Sequence, residues 1–578
     1  MHKVEDKFKF SKKNINNSLR FLDVKNVGNK VFVLGIDGFD WKLLRSYIKQ
    51  GHLPTFKKLL NEGAGGRLTS TIPPITACAW ASLVTGKNPG KHGIFDFFHR
   101  QKDTYNMIPI NSSNWCEKSI WEIMSEENKK VVVINIPMTY PPQKVRGIMI
   151  AGKLTPSEKS VFTYPSSFSS ELRREGYRIE PEEVYSKNNE NDFLMDVYRT
   201  LEKQTEVTLK FLKNYEWDFF MVNFDYVDEI QHFFWHYTDS RKHSSNSQKV
   251  RKCEKAILQI HQKMDEVLKE FLENLDEKTT VIVVSDHGFG PHYGLIHLNN
   301  WLIDLGLLKF KENLSSKTKF WLFKHGFSPQ DIYNMLSKLR FHNLKSRTGR
   351  DGRERARFLL RKMFLSFSNV DWSRSKAYSF GISGAIFVNL RGREPEGVVE
   401  REEYEMIRNY LIEESKKLRN PKTGESLIKC VIKKESVYSG PCVDFAPDLL
   451  VVPTETYSAF GEFEFFSNSL VSSSLMTGFH RMKGVFIMRG DGVRRGMILN
   501  NINIMDVVPT ILKAMKLPIP SDLDGKVPIE GFEPLYLKAH PIRYKTVRTP
   551  RTQSLKFKWT KEDEKLVKQK LKALGYLG

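Results

Sequence analysis

Several features of secreted, membrane-spanning and thiolate-zinc proteins are missing from this sequence of 578 residues. Its five cysteines form no C-x-x-C pair, so the sequence indicates neither a thiolate zinc site nor a disulfide framework. The opening stretch, MHKVEDKFKFSKKNINN, is polar and lacks the apolar centre of a signal peptide. No apolar run approaches the ~18 residues that a membrane span requires. We therefore expect a soluble, cytoplasmic protein.

Acidic residues are fewer than basic ones: the chain has 67 Asp and Glu and 90 Lys and Arg, which gives a net charge of +23. Such a balance attracts anions, but it does not choose among phosphorylated small molecules, nucleic acid and acidic lipid. Apolar residues make up 40% of the chain. That is enough to bury one large core, or the cores of two to three smaller domains.

Short apolar runs alternate with longer amphipathic segments, of which the first, 40–63, is predicted to be helical. The runs predicted as buried strands are VFVLGID (31–37), KKVVVINIP (129–137), DFFMVNF (218–224), TTVIVVSD (279–286), AIFVNL (385–390) and DLLVVP (448–453). Continuous apolar strands separated by helices are typical of a parallel sheet covered on both faces. The expected fold is α/β, with a mostly parallel central sheet sandwiched by helices.

Chemistry in open α/β sheets gathers beyond the carboxyl ends of the strands, and charged residues stand at several of these ends. Asp37 is the last residue of the first run, Asp286 is the last residue of the run 279–286, and His287 follows it. Each could equally be part of an ordinary turn or a helix cap. Their common position at strand ends favours a functional site.

Further candidates have the residue types that bind metals. Asp228 and His232 stand four residues apart, which places a carboxylate and an imidazole on one face of a helix. His480 lies in the glycine-containing segment TGFHRMKG. A solvated helix face and a loop histidine are the alternatives. Carboxylates and imidazoles are ligands for Zn²⁺ or a similar divalent ion, and a pair of such ions can clamp a phosphoryl group.

A single hydroxyl, that of Thr76, stands in the proline-flanked loop of PPITACAWASLVTGKNPGKHG, residues 73–93. Ser or Thr in such a loop is often only a helix N-cap. The alternative is a nucleophile or a phosphate cradle, because the start of a helix offers unpaired N–H groups to an anion.

These candidate residues and the motifs around them, in their order along the chain, resemble the pattern of the alkaline phosphatase superfamily. They most resemble its type I phosphodiesterase/nucleotide pyrophosphatase branch. The resemblance runs from about residue 30 to about residue 530. Its motifs are TGKNPGKHGIFDF, SDHG, NLRGREPEG and MDVVPTIL, with Asp37, Thr76, Asp228-x-x-x-His232, Asp286-His287 and His480 in the order of the family. The resemblance implies an α/β sandwich and a phosphohydrolase.

The resemblance also implies two divalent metal ions, Zn²⁺ or Mn²⁺, and a phosphorylated small-molecule substrate. One ion would be held by Asp37, Thr76, Asp286 and His287. The other would be held by Asp228, His232 and His480. Thr76 would be the nucleophile and would pass through a phospho-Thr intermediate, with the N–H groups that follow it holding the phosphoryl oxygens.

The chain departs from the nucleotide pyrophosphatase pattern next to Thr76. Members of that branch have a sequence similar to T-F-P-N-H at the position where this chain has TACAW. Ala79 therefore stands in the place of an Asn that would contact the phosphoryl group. Trp80 is expected to be a buried structural residue or an aromatic wall for the substrate.

The sequence CAWAS lacks the C-x-P-x-R of a sulfatase. A phosphomutase or phosphomonoesterase of the same superfamily, and a basic binding protein on a degenerate phosphatase fold, are the alternatives.

Positive charge is concentrated in residues 308–367, where 15 basic and 4 acidic residues give +11. Aromatic residues are interleaved with these charges. The segment is expected to be either a solvated helical cap or a lid that gathers an anionic substrate, with nucleic acid or an acidic membrane surface less favoured. The domain prediction is a basic extension (1–29), the first part of the catalytic core (30–307), a basic insertion (308–375), the second part of the core (376–534), and a linker with an amphipathic C-terminal helix (535–578).

Overall fold

A computed structural model of the chain describes residues 29–101, 103–186, 188–238, 248–332, 363–461, 465–546 and 557–574. None of the helices in these ranges is both long enough and apolar enough to cross a lipid bilayer.

The strands differ in length from two to seven residues. They are β1 (Val31–Ile36), β2 (Ala64–Thr69), β3 (Phe98–Arg100), β4 (Met107–Pro109), β5 (Val131–Ile136), β6 (Gly147–Ala151), β7 (Thr163–Tyr164), β8 (Phe219–Phe224), β9 (Thr280–Val284), β10 (Gly288–Pro291), β11 (Gly294–His297), β12 (Ala377–Ser379), β13 (Ala385–Val388), β14 (Ile428–Lys433), β15 (Leu449–Pro453), β16 (Tyr457–Phe460), β17 (Val471–Ser472), β18 (Gly478–Arg481), β19 (Lys483–Arg489), β20 (Met497–Asn503), β21 (Ile519–Pro520) and β22 (Tyr544–Lys545).

The α-helices of the described ranges are numbered separately, in chain order. They are α1 (Trp41–Lys49), α2 (Pro54–Glu62), α3 (Thr76–Thr85), α4 (Pro89–His92), α5 (Ile120–Glu126), α6 (Ser167–Arg174), α7 (Glu190–Asn214), α8 (Tyr226–Phe234), α9 (Gln248–Glu273), α10 (Leu298–Asp304), α11 (Leu314–Lys324), α12 (Arg401–Ser415), α13 (Val507–Ala514), α14 (Pro534–Ala539) and α15 (Lys561–Ala573).

Nine strands form the central sheet, in the order β20-β2-β19-β9-β1-β8-β5-β6-β7. Five of its strand pairings are parallel, and only β19 and β7 run against their neighbours. Strands β1, β5, β8 and β9 are buried along their whole length, as expected for apolar strands covered by helices on both faces. The α/β class with a mostly parallel sheet is therefore confirmed.

Two details of the predicted architecture are wrong. The runs 385–390 and 448–453 do form strands, but β13 and β15 belong to a separate antiparallel sheet of order β12-β13-β15-β14. A short apolar run shows that a strand is buried but does not show which partner it pairs with. The predicted helical stretch 40–63 is two helices, because the chain turns at Gly51 and starts again with Pro54 as the first residue of α2.

The C-terminal amphipathic helix packs on the core. In α15, Val567 and Leu571 are fully buried and belong to the main hydrophobic cluster, while Lys570 forms an ion pair with Glu180 at 3.3 Å. The predicted domain boundaries stay predictions. Residues 1–28 and 333–362, which include most of the predicted basic extension and half of the basic insertion, lie outside the described residues.

Candidate metal centre

The candidate site lies at the carboxyl ends of β9, β1 and β8, which are neighbours in the central sheet. Asp37 follows β1 directly, and its amide donates a hydrogen bond to the carbonyl of Phe224 at the end of β8. The next residue, Gly38, has a φ of +69°, and a Cβ at this position would come within 3.0 Å of the Cα of Asp228. Glycine is needed here because the backbone is left-handed and because α8 approaches closely. The turn brings the end of β1 against the start of α8.

Thr76 is the first residue of α3 and is buried at the site. Its Oγ1 lies 3.3 Å from Nε2 of His287. The N-cap residue Ile75 has no side-chain acceptor for the first amides of the helix. The start of α3 therefore offers N–H groups to an anion beside the Thr76 hydroxyl.

His480 reaches the site through strand pairing between distant parts of the chain. It lies on β18, which pairs antiparallel with β10, and it stands opposite Phe289. Because β10 begins one residue after His287, this pairing places the two histidines side by side, with ring centroids 3.7 Å apart.

A first cluster consists of Asp228, His232 and His480, all buried. Asp228 Oδ1 lies 3.4 Å from Nε2 of His232 and 3.2 Å from Nε2 of His480. The two Nε2 atoms are 3.1 Å apart. One ligand atom from each of the three residues lies within 4.8 Å of the others, which is close enough for all three to bind one ion.

A second cluster adjoins the first. His287 Nε2 lies 3.3 Å from Asp37 Oδ1 and 3.2 Å from Asp286 Oδ2, in addition to its contact with Thr76. Asp37 and His287 also lie within 4.8 Å of Asp228. The structure thus brings together all seven residues singled out from the sequence, with Asp228 between the two clusters.

The three histidines are oriented alike. The Nδ1 atom of each donates a hydrogen bond to a backbone carbonyl, because a carbonyl oxygen can only accept. The pairs are His232 with Gly478 at 3.0 Å, His480 with Pro74 at 3.0 Å and His287 with Gly288 at 3.1 Å. A neutral ring that donates from Nδ1 carries its lone pair on Nε2, and all three Nε2 atoms face the carboxylates. Metal-binding histidines are commonly held in this way.

The carboxylates have oxygens without hydrogen-bond partners. Among the described residues, Asp37 Oδ1, Asp228 Oδ1 and Asp286 Oδ2 accept no hydrogen bond, although all three side chains are at least 98% buried. An unsatisfied carboxylate oxygen in the protein interior is costly unless a cation binds it. Their positions facing imidazole nitrogens fit divalent ions.

The electrostatics of the cluster indicate the same need for a cation. Burial raises the pKa of Asp37 and of Asp286 well above the usual range, and the nearby carboxylate of Asp228 raises both further. Burial would also raise the pKa of Asp228, but protonated forms of His232 and His480 would more than offset this and hold it well below its usual range. Buried carboxylates at this spacing repel one another, and a divalent ion removes the repulsion.

Sequence reasoning missed three groups that hold the candidate ligands in place. Trp80 is fully buried, and its Nε1 donates to Asp37 Oδ2 at 3.1 Å, so it forms no exposed aromatic wall. Its position four residues after Thr76, on the same face of α3, was the available signal. Gln231 Nε2 donates to the Gly38 carbonyl at 2.8 Å, and the hydroxyl of Ser285 donates to the His287 carbonyl at 2.7 Å.

A buried cation near the centre was also missed. Lys153 follows β6, and its Nζ lies 3.2 Å from Oε1 of Glu229. Both side chains are buried, and the positive charge of Lys153 partly counteracts the rise in the pKa of Asp37. Because β6 was not among the predicted strands, nothing marked residue 153 as a strand end.

The segment 308–367, expected to be a solvated cap or a lid that gathers an anionic substrate, includes Arg353, Arg355 and Arg357, and these three residues lie outside the described residues. Their role stays a prediction. Ala79 is fully buried within α3.

Two solved structures are similar to this chain, and the first of them supports the fold. Phosphonoacetate hydrolase from Sinorhizobium meliloti 1021, solved with phosphonoformate, aligns with a TM-score of 0.50 and 14% identity, over 84% of this chain and 96% of its own. Murine ectonucleotide pyrophosphatase/phosphodiesterase 5, an inactive form with AMP, aligns with a TM-score of 0.47 and 12% identity, over 85% and 95% of the two chains. No curated protein sequence matches this chain.

The family model that matches this chain describes hydrolases of phosphoric ester bonds. Residues 31–465 match the family model of the type I phosphodiesterase/nucleotide pyrophosphatase family. The match spans well over half of the chain, and the protein belongs to this family.

Proposed function

We propose that this protein is a metal-dependent phosphodiesterase or nucleotide pyrophosphatase that acts through a phosphorylated Thr76. The observation that carries the proposal is the buried cluster. In it, three carboxylate oxygens that accept no hydrogen bond face the Nε2 atoms of three histidines. The Thr76 hydroxyl lies at the same cluster, 3.3 Å from one of these nitrogens. The same buried cluster therefore supports both the proposed nucleophile and the proposed metal ligands.

Two divalent ions would divide the cluster between them. Asp228, His232 and His480 would hold one ion, in keeping with their mutual distances. The residues that contact His287 would hold the other together with it, and they are Asp37, Thr76 and Asp286. Carboxylate, imidazole and hydroxyl donors without cysteine suit both Zn²⁺ and Mn²⁺.

Thr76 would act as the nucleophile in two steps. Bound divalent ions lower the pKa of a hydroxyl and offset the negative charge of a phosphoryl group. In the first step, Thr76 Oγ1 loses its proton and forms a bond to phosphorus while the bond to the leaving oxygen breaks. The leaving oxygen takes up a proton and departs as the alcohol or nucleotide, and the phosphoryl group, with any second ester group still attached, stays on Thr76. In the second, water attacks the phosphorus, and Oγ1 leaves and regains its proton.

The surrounding residues of the chain would position these groups. The first amides of α3, which Ile75 does not cap, would bind the phosphoryl oxygens. Trp80 would hold Asp37 in place through its hydrogen bond to Oδ2. The carbonyls that accept from each Nδ1 would fix the tautomer and the orientation of the three histidine rings.

Substrate class is the finer part of the proposal. A panel of a chromogenic phosphodiester, a chromogenic phosphomonoester, nucleotides and phosphonoacetate, each with Zn²⁺ or Mn²⁺, tests it. Phosphonoacetate is included because the hydrolase with the same fold acts on it. Diester or pyrophosphate cleavage that chelation abolishes supports the proposal. Hydrolysis or transfer confined to monoesters would favour the phosphomonoesterase or phosphomutase, and phosphate binding without turnover would favour the binding protein.

The nucleophile is tested by two substitutions at one position. Thr76→Ala should lower turnover by roughly a thousandfold or more, whereas Thr76→Ser keeps a hydroxyl and should retain measurable turnover. Rapid acid quenching of the wild-type reaction, followed by peptide mass analysis, should find a phosphoryl group on Thr76. Near-normal turnover of Thr76→Ala would refute the nucleophile.

A further inference from the structure

A cavity of about 420 Å³ lies away from the metal centre and shares none of the seven candidate residues. It is formed where the end of α13 meets the segment that leads from α14 into β22. Its volume is within the ~300–1,000 Å³ of small-molecule sites. The polar side chains lining it are all cationic or imidazole groups, namely Lys513, Lys516, His540 and Arg543.

Lys513 is the unusual member of this group, because it is only 3% exposed. Lysine is almost never so buried unless a carboxylate pairs with it. Within the described ranges no carboxylate lies within ion-pair distance of Lys513, and its Nζ donates instead to the carbonyl of His540 and lies 5.0 Å from the centre of the Tyr536 ring. The buried charge is therefore only partly compensated.

The neighbouring charges increase the positive potential. Burial lowers the pKa of Lys513, and the charges of Lys516 and Arg543 lower it further. The acidic residue that pairs with Lys516 is Asp491, at 3.7 Å and more than half exposed. Arg543 forms no ion pair with any residue of the described ranges. Three cations thus line one space, and one solvated carboxylate, that of Asp491 beside Lys516, opposes them.

The backbone carbonyls at the C-terminal end of α13 already accept hydrogen bonds. The free carbonyls at the end of a helix would repel an anion, but those of α13 are occupied. The donors are the amides of Met515, Leu517 and Lys516 to the carbonyls of Ile511, Leu512 and Lys513, and the side chain of Asn29 to that of Ala514. The guanidinium of Arg543 donates to the carbonyl of Lys516 at 2.8 Å.

We propose that this cavity binds a small molecule carrying a phosphate group. Lys513, Lys516 and Arg543 provide the charge for the phosphate, and the apolar side chains of Leu517 and Ile542 line the space for the rest of the ligand. A guanidinium and two ammonium groups suit a phosphate dianion in charge and in hydrogen-bond donors. The site is independent of the proposed catalytic function.

Equilibrium binding of inorganic phosphate and of AMP, in buffer without other multivalent anions, tests the proposal. The variant Lys516→Gln/Arg543→Gln removes the charge of half-buried Lys516 and that of exposed Arg543, and it leaves buried Lys513 in place. Phosphate or AMP affinity at one site should fall by roughly tenfold for each charge removed. Arg543→Lys keeps the charge and should bind nearly as the wild type does, and Lys538→Gln removes an exposed charge of α14 that does not line the cavity.

Variants separate this site from the metal centre. Asp228→Asn/His480→Gln should remove any phosphate bound at the metal centre and leave the cavity site unchanged. If the proposed metal centre is wrong, the wild type should bind one phosphate per chain. The variant Lys516→Gln/Arg543→Gln should then abolish that phosphate binding. Retention of all phosphate and AMP binding by Lys516→Gln/Arg543→Gln, at unchanged melting temperature, would overturn the proposal. Binding only to vesicles of anionic phospholipid, with none to phosphate or AMP, would overturn it as well.

Discussion

Replacement of Trp80 by Phe isolates one hydrogen bond at the candidate metal centre. The indole Nε1 donates to Asp37 Oδ2 at 3.1 Å, and neither residue is more than 1% exposed. A hydrogen bond to a buried charged group contributes about 1.5–3 kcal/mol. Loss of such a group behind a metal ligand typically weakens metal binding ~10–100-fold, which corresponds to about 1.4–2.7 kcal/mol. We expect a loss of this size at the ion held by Asp37.

The effect of the space left by the smaller phenylalanine ring has to be distinguished from the effect of the lost hydrogen bond. The indole packs on Gly35, where a Cβ would come within 2.5 Å of it, so Trp80→Phe should also cost about 1–3 kcal/mol of unfolding free energy. Trp121 is an equally buried tryptophan whose indole donates to Gln143, outside the metal centre. Trp121→Phe should therefore lose similar stability and keep its metal affinity within about twofold.

Competition with a chromogenic chelator measures the affinity of each ion in the three proteins, and thermal unfolding without metal measures stability. The expected result is a weakened ion in Trp80→Phe alone, with comparable melting temperatures in the two variants. Equal metal affinity in Trp80→Phe and Trp121→Phe would mean that Trp80 only fills space, and the positioning role would be refuted.

Two further predictions follow from the backbone and from a buried base. Gly38→Ala should cost at least about 2 kcal/mol in unfolding free energy, because φ is +69° and the new Cβ would lie 3.0 Å from Asp228; a melting temperature equal to that of the wild type would contradict this. Burial lowers the pKa of His261 to about 4, below the ~6.5 of an unfolded histidine. The unfolded chain therefore binds the extra proton as pH falls from about 6.5 to 4, and stability should fall by up to about 1.4 kcal/mol per pH unit from this residue. His261→Leu should lose that part of the slope when melting temperatures at pH 7 and pH 5 are compared, and an unchanged slope would rule the residue out.

The part of the site that follows apolar strands was predictable from local pattern. Asp37 comes directly after one buried, mostly apolar strand, and Asp286 and His287 come shortly after another. Parallel strands end at one edge of a sheet. The spacing of Asp228 and His232 showed that they share a helix face. These residues needed no knowledge of the tertiary structure beyond the sheet itself.

The rest depends on pairing that a sequence pattern does not contain. His480 reaches the site only because β18 pairs with β10. It was singled out from the sequence as an imidazole in a glycine-containing segment, and its assignment to one of the two ions rested on family resemblance. Trp80 reads as an ordinary apolar helix residue until Asp37 is placed beside it. The runs that became β13 and β15 are as apolar as the central strands, so composition did not reveal that they pair antiparallel in another sheet.

Metal content tests the central claim most directly. Wild-type protein and the variants Asp228→Asn, Asp286→Asn and Asp265→Asn would be dialysed against a limiting concentration of Zn²⁺ and analysed by mass spectrometry of the metal. Asp265 is a buried carboxylate that caps α2 through the amides of Thr55 and Phe56, so its variant is the matched control. We predict two ions per chain in the wild type and the control, and one in each of the other variants. Two ions retained after removal of either charge, or none in the wild type, would contradict the account.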